Sequence, residues 1–183
     1  MDKTLHSNLL IGSQRHPIPL ARGMGWGLLG GLAGTLIMDL ALVGGLSAAG
    51  LPALTCFSII GNTVARFFSI LGMEMTGGPA LGAAVYHLIG PAMGVIFGAI
   101  VAQADTLRVD TLRKSVLLAV LYVEILSQPI LATTPTLFKM TVSEILQWYG
   151  GSFVMHAILG AVLGVIVSYG LRSAPLATQK RSQ

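Results

Sequence analysis

The hydrophobic residues of the chain are concentrated in four long segments, residues 23–46, 79–103, 114–132 and 151–171. Each segment can cross roughly 30 Å of hydrocarbon as an α-helix that rises about 1.5 Å per residue. The pattern therefore predicts an all-α protein, built as a membrane bundle of four spanning helices.

Two further stretches, residues 56–71 and 137–149, have the spacing of amphipathic helices, with polar residues on the side away from the apolar one. Their apolar positions recur every three or four residues, at Phe57, Ile60, Val64, Phe67, Leu71, Phe138, Val142, Ile145 and Tyr149. Each stretch follows a proline-bearing break that can start a new helix. The chain is thus predicted to have two similar halves, each with a span, an amphipathic interfacial helix and a second span.

Composition strengthens the membrane assignment. Of the 183 residues, 54% are hydrophobic and 10% are charged, and the mean hydropathy is +0.78. Such a chain is too apolar for a soluble domain, so we expect it to be embedded in the lipid bilayer. The 23 glycines indicate helices that pack backbone to backbone, as small residues allow in lipid.

The basic residues are distributed unevenly. All eleven except Arg66 and Lys139 lie in the N-terminal tail, the C-terminal tail or the loop between the second and third spans. By the positive-inside rule, these three regions are cytoplasmic. We therefore predict a tail at 1–22, a four-span domain at 23–171 and a tail at 172–183, in a bacterial inner membrane. The net charge of +4 then reflects topology and does not indicate a nucleic-acid partner.

Four ionisable residues interrupt the spans: Asp39, His87, Glu124 and His156. Such residues are costly in lipid and usually face the interior of a bundle. Counting residues from the cytoplasmic basic positions places Asp39, His87 and His156 roughly 25 Å from the inner boundary. Glu124 lies deeper by the same count.

Runs of small residues suggest which way these side chains face. The runs are Gly27, Gly31 and Thr35 before Asp39, then Gly90, Gly94 and Gly98 after His87, then Gly160 and Gly164 after His156. Small residues normally face neighbouring helices. We therefore expect Asp39, His87 and His156 to converge in one pocket.

Four hypotheses explain such a cluster. The side chains can be polar contacts that hold helices together, or Asp39, His87, His156 and Glu124 can bind zinc, iron, manganese or copper. A haem b can lie between His87 and His156, with Arg66 or Lys139 at its propionates. The residues can also form a proton or ion path.

Two prolines lie close to these residues. Pro91 cannot donate the helical hydrogen bond that the carbonyl of His87 would accept, and Pro129 has the same effect on Ile125. Both carbonyls are therefore predicted to be available to other donors.

Signatures of common enzyme classes are absent from the sequence. It contains no phosphate-binding glycine loop, nucleophile elbow or paired-cysteine motif. No catalytic residue is therefore assigned, and whether the chain is an enzyme stays open.

The segments GLLGGLAGTLIMD, HLIGPAMG, EILSQPIL and HAILGAVLG together resemble a group of small bacterial four-helix membrane proteins of uncharacterised function. The resemblance extends from residue 23 to residue 170 and implies a fold but no activity. We expect an accessory subunit or assembly partner of a larger membrane complex, bound to other membrane subunits or to itself. The alternative is an autonomous protein that handles a metal, haem or protons.

Overall fold

The computed structural model describes residues 18–172, which form five α-helices and one short 3₁₀ turn at Asp105–Leu107. The helices are α1 (Leu20–Ala48), α2 (Thr55–Ile70), α3 (Pro79–Gln103), α4 (Leu112–Phe138) and α5 (Val142–Arg172). Of these, α1, α3, α4 and α5 are long and apolar enough to cross a membrane. The predicted all-α membrane bundle of four spans is therefore confirmed.

Helix α1 lies in the middle of the bundle, between α3 and α5, and α4 packs on the far side of α5. Neighbouring spans run antiparallel. Tyr122 of α4 contacts α3 and so joins the two outer spans. Its hydroxyl donates a hydrogen bond to the carbonyl of Met93 at 3.0 Å, and its ring packs against Phe97 with centroids 5.3 Å apart.

The contact between α1 and α3, here called the α1–α3 seam, is made of glycine. A Cβ atom added to Gly27 would collide with the carbonyl of Gly94, and Gly23 and Gly31 meet α3 in the same way. The two backbones therefore touch at these glycines, and no larger residue fits at those positions.

The contact between α4 and α5, here called the α4–α5 seam, has the same construction with glycine on one side only. Gly160 packs on the backbone of Val120, and Gly164 packs on Val116. Ser115 Oγ donates a 2.7 Å hydrogen bond to the carbonyl of Gly164. In both halves, the glycine run that follows the histidine binds the second span to the first.

Helix α2 agrees with the first predicted amphipathic helix, but the second one, at 137–149, is not a separate element. Its first residues end α4, and α5 begins at Val142. Lys139 adopts a left-handed conformation with φ of 50°, and Met140 donates its N–H to the carbonyl of Pro135. Thr141 and Glu144 then cap α5 reciprocally.

The proline that was expected to break the chain at this point lies inside α4. Pro135 has no N–H, so the carbonyl of Leu131 loses its helical donor. The indole Nε1 of Trp148 donates to that carbonyl instead, at 3.1 Å. This tertiary hydrogen bond lets α4 continue through Pro135, and the last two spans are longer than the sequence predicted.

The predicted tails at 1–22 and 172–183 lie almost entirely outside the described residues. Within residues 18–172, α1 already begins at Leu20, and Arg172 is the last residue of α5.

Candidate functional site: two acid-histidine pairs and a cavity

The first pair of ionisable residues extends the α1–α3 seam by one turn. Asp39 lies four residues after Thr35, which packs on Gly90, and His87 lies three residues before Gly90. The Nε2 atom of His87 is 2.8 Å from Oδ2 of Asp39, and its Nδ1 atom is 2.8 Å from the carbonyl oxygen of Ala83. This is the closed pair.

The hydrogen-bond partners determine how many protons the closed pair holds. A carbonyl oxygen only accepts, so the Nδ1 atom of His87 carries a hydrogen. One further hydrogen must lie between Nε2 and Oδ2, on either atom. In both cases the charges of Asp39 and His87 sum to zero, which suits an apolar environment.

The second pair extends the α4–α5 seam in the same way. Glu124 lies four residues after Val120, and His156 lies four residues before Gly160. The Nδ1 atom of His156 is 3.8 Å from Oε2 of Glu124, which is too long for a hydrogen bond. This is the open pair.

The open pair has polar atoms that lack partners. Only 14% of the Glu124 side chain and 18% of the His156 side chain are exposed. Within residues 18–172, Glu124 Oε1 and His156 Nδ1 are buried and have no hydrogen-bond partner. Buried polar groups are normally satisfied, so the open pair is equipped to bind a polar group.

A cavity of about 560 Å³ lies between the two seams, at the end of the bundle that α2 covers. Its wall is mainly apolar, and residues of all five helices contribute to it. Met38 and Tyr86, the chain neighbours of Asp39 and His87, lie on one side, while Val123 and His156 lie on the other. The polar residues of the wall include Tyr86, Ser127, Glu144, Gln147, Ser152 and His156.

Helix α2 covers the cavity. Cys56 and Ile59 line it, and burial raises the pKa of the Cys56 thiol. Phe57 packs edge-on against Tyr86 of α3, with centroids 5.4 Å apart. The hydroxyls of Thr63 and Thr134 lie 3.1 Å apart, so a hydrogen bond joins α2 to α4.

The structure divides the four predicted metal ligands into two pairs. Asp39 contacts His87, and His156 lies beside Glu124 instead of joining them. Among residues 18–172, no group of three or more His, Cys, Asp or Glu side chains could hold a metal ion. Contrary to the prediction from the sequence, the structure therefore does not bring Asp39 and both histidines together in one pocket. Each glycine run packs on its own neighbouring helix, so the runs do not direct Asp39 and both histidines toward one point.

A haem between His87 and His156 does not fit this arrangement. Both ring nitrogens of His87 already have protein partners, Ala83 and Asp39. The guanidinium of Arg66, expected at a propionate, lies over the ring of Phe138 at 5.8 Å from its centroid. Lys139, the other residue expected there, occupies the left-handed position that ends α4.

Two relationships were not predicted from the sequence. The sequence does contain an indication that Glu124 pairs with His156, because each half carries an acid on its first span and a histidine on its second. A weaker indication of the Trp148 hydrogen bond is Pro135, whose missing N–H requires a substitute donor.

Comparison with known protein families, curated proteins and solved structures finds no match. The resemblance to small four-helix membrane proteins stays a prediction.

Proposed function

We propose that this integral membrane protein binds an amphipathic small molecule in the cavity between its two seams. The observation that carries the proposal is a cavity of about 560 Å³ whose wall includes His156, a residue whose buried Nδ1 atom has no partner among the described residues. Ligand cavities typically measure roughly 300–1,000 Å³ and combine apolar walls with a few polar groups.

The composition of the wall indicates the shape of the ligand. Apolar side chains such as Met93, Leu126 and Leu159 supply most of the surface, so they favour a hydrocarbon body. The polar side chains of the wall are few and include His156 of the open pair, so they favour a single polar head group. Lipids, isoprenoids and related molecules combine a hydrocarbon body with one polar head group in this way.

We also propose that the cavity lies in the outer half of a bacterial inner membrane. The basic residues Arg108, Arg113 and Lys114 support a cytoplasmic location for the loop between α3 and α4. Helix α2 and the cavity lie at the opposite end of the bundle. The ligand would then exchange with the outer leaflet or the space beyond it.

Adjacent glycines provide a test of cavity binding with a matched control. Gly151 lines the cavity and Gly150 does not, and a Cβ atom added to either meets nothing within 4 Å. Gly151→Leu should fill part of the cavity without a backbone collision, whereas Gly150→Leu adds the same side chain outside it. Both variants are purified in mild detergent, and small molecules that copurify are measured by mass spectrometry.

The proposal predicts a stoichiometric small molecule in the wild type and in Gly150→Leu, with at least a tenfold loss in Gly151→Leu. Gly45→Leu and Gly44→Leu repeat the comparison on α1, because Gly45 lines the cavity and Gly44 does not. Equal amounts in all four variants would contradict the cavity as the binding site.

A second candidate function is that of an accessory subunit, and the exposure of the closed pair favours it. The side chain of His87 is 47% exposed at membrane depth, beside Leu88, which is 73% exposed. Ionisable groups in spans rarely face lipid. A helix from another membrane subunit would cover this surface of α3.

Site-specific photo-crosslinking tests the subunit hypothesis. A photoreactive residue at Leu88 should capture a membrane protein in native membranes, whereas one at Leu117 of α4, also exposed, should not. Capture of a second copy would instead indicate self-association. A lone monomer in lipid nanodiscs, with no captured partner at Leu88, would contradict the hypothesis.

A further inference from the structure

We propose that the head group of the bound molecule is a hydroxyl that bridges Glu124 and His156. This inference rests on the proposed function, because it names the chemistry of the ligand that the cavity would hold.

The internal comparison between the two pairs supports this assignment. The closed and open pairs occupy corresponding places, each one turn beyond the glycine run that joins its two spans. Asp39 and His87 lie 2.8 Å apart and hydrogen-bond to each other, although Oδ1 of Asp39 has no hydrogen-bond partner within residues 18–172. His156 and Glu124, 3.8 Å apart, make no such hydrogen bond.

Their position relative to the cavity distinguishes the pairs further. His156 is part of the cavity wall, whereas Asp39 and His87 are not. Within residues 18–172, His156 therefore combines an unpartnered, buried Nδ1 atom with a place in the cavity wall. Glu124 is not part of the wall, but its carboxylate lies 3.8 Å from that Nδ1 atom.

The atoms of the open pair select among head groups. A hydroxyl has one donor and two acceptor sites, so it can donate to the Glu124 carboxylate and accept from an N–H at Nδ1 of His156. A carboxylate or phosphate would be repelled by Glu124. An ammonium cannot accept from His156, and its burial in an apolar cavity is costly. The hydroxyl of Ser127 already donates to the backbone carbonyl of Glu124 at 2.9 Å, so it has no hydrogen left to donate to the Glu124 carboxylate.

The test compares three photoreactive probes with the same long hydrocarbon chain: an alcohol, its methyl ether and the corresponding amine. The full-length protein is held in lipid nanodiscs, and competition with unlabelled probe gives the affinity for each. We expect the alcohol to bind about tenfold more tightly than the methyl ether, because a hydrogen bond to a charged group is lost.

Variants of the open pair locate the effect. Glu124→Leu and His156→Leu should each reduce the preference for alcohol over ether to about one, while His87→Leu should retain it. Using both substitutions keeps the test valid if one of them prevents folding, and the binding of the ether reports whether the cavity is intact.

Failures of the two proposals are distinguishable. If alcohol and ether bind equally and Gly151→Leu blocks both, a ligand occupies the cavity but the hydroxyl assignment is wrong. Preferential binding of the amine would also overturn it. If no probe binds the wild type better than it binds Gly151→Leu, the cavity proposal itself fails.

Discussion

The Nε2 atom of His87 lies 2.8 Å from the Oδ2 atom of Asp39 and joins α3 to α1 beyond their glycine contact. Because His87 also donates from Nδ1 to a backbone carbonyl, the two side chains share one hydrogen and have no net charge. The contact is thus suited to stabilise the bundle within a membrane.

Removing one member of the closed pair should destabilise the protein more than removing both members. Asp39→Leu or His87→Leu leaves an unpaired polar group, and we expect each to lower the free energy of unfolding by about 1–2 kcal/mol. The double variant should recover much of that loss. A double-mutant cycle in a denaturing detergent measures the coupling, and simple addition of the two single effects would contradict the pairing.

The α1–α3 seam should not tolerate a methyl group. Gly94→Ala places a Cβ against the carbonyl of Gly27, so the helices must separate, at a cost of about 1–3 kcal/mol. Gly25→Ala on α1 is the control, because a Cβ there meets nothing within 4 Å. Thermal unfolding in detergent compares the two, and equal stabilities would argue against the close contact.

The contribution of Trp148 should depend on Pro135. Trp148→Phe removes the donor to the Leu131 carbonyl and should cost about 1–3 kcal/mol of unfolding free energy. In a Pro135→Ala background, residue 135 regains an N–H and can donate to Leu131 itself. The same tryptophan substitution should then cost clearly less, and an unchanged cost would exclude this hydrogen bond as the cause.

Topology can be tested by cysteine labelling in a Cys56→Ala background. Thr106→Cys should react only after the membrane is permeabilised, whereas Thr76→Cys, in the loop between α2 and α3, should react from outside. In the wild type, burial raises the pKa of Cys56, so its thiol should label slowly near neutral pH. Outside labelling at residue 106 would invert the proposed orientation.

The metal content of the purified protein distinguishes a single metal centre from two separate acid–histidine pairs. One centre built from Asp39, His87, His156 and Glu124 would bind about one transition-metal ion, and loss of a ligand would weaken binding tenfold or more. We expect less than one ion per chain, unchanged in Asp39→Ala and His156→Ala. Elemental analysis of purified protein, before and after a chelator, gives the answer.

Much of the architecture follows from sequence patterns. The lengths of the apolar segments predict the four spans, because a helix must be long enough to cross the hydrocarbon. Amphipathic spacing at 56–71 predicts α2. The helix break predicted at Pro135 is wrong, because helix continuity there depends on Trp148, a residue on another helix.

The ionisable residues show where sequence information ends. Their identity, their place within spans and their proximity to glycine runs are properties of the sequence, since lipid makes such residues costly anywhere. Which acid meets which histidine was decided by the order of helices in space, with α1 between α3 and α5. The separation of 2.8 Å in one pair and 3.8 Å in the other belongs to the tertiary structure alone, because it depends on how closely two packed backbones hold their side chains.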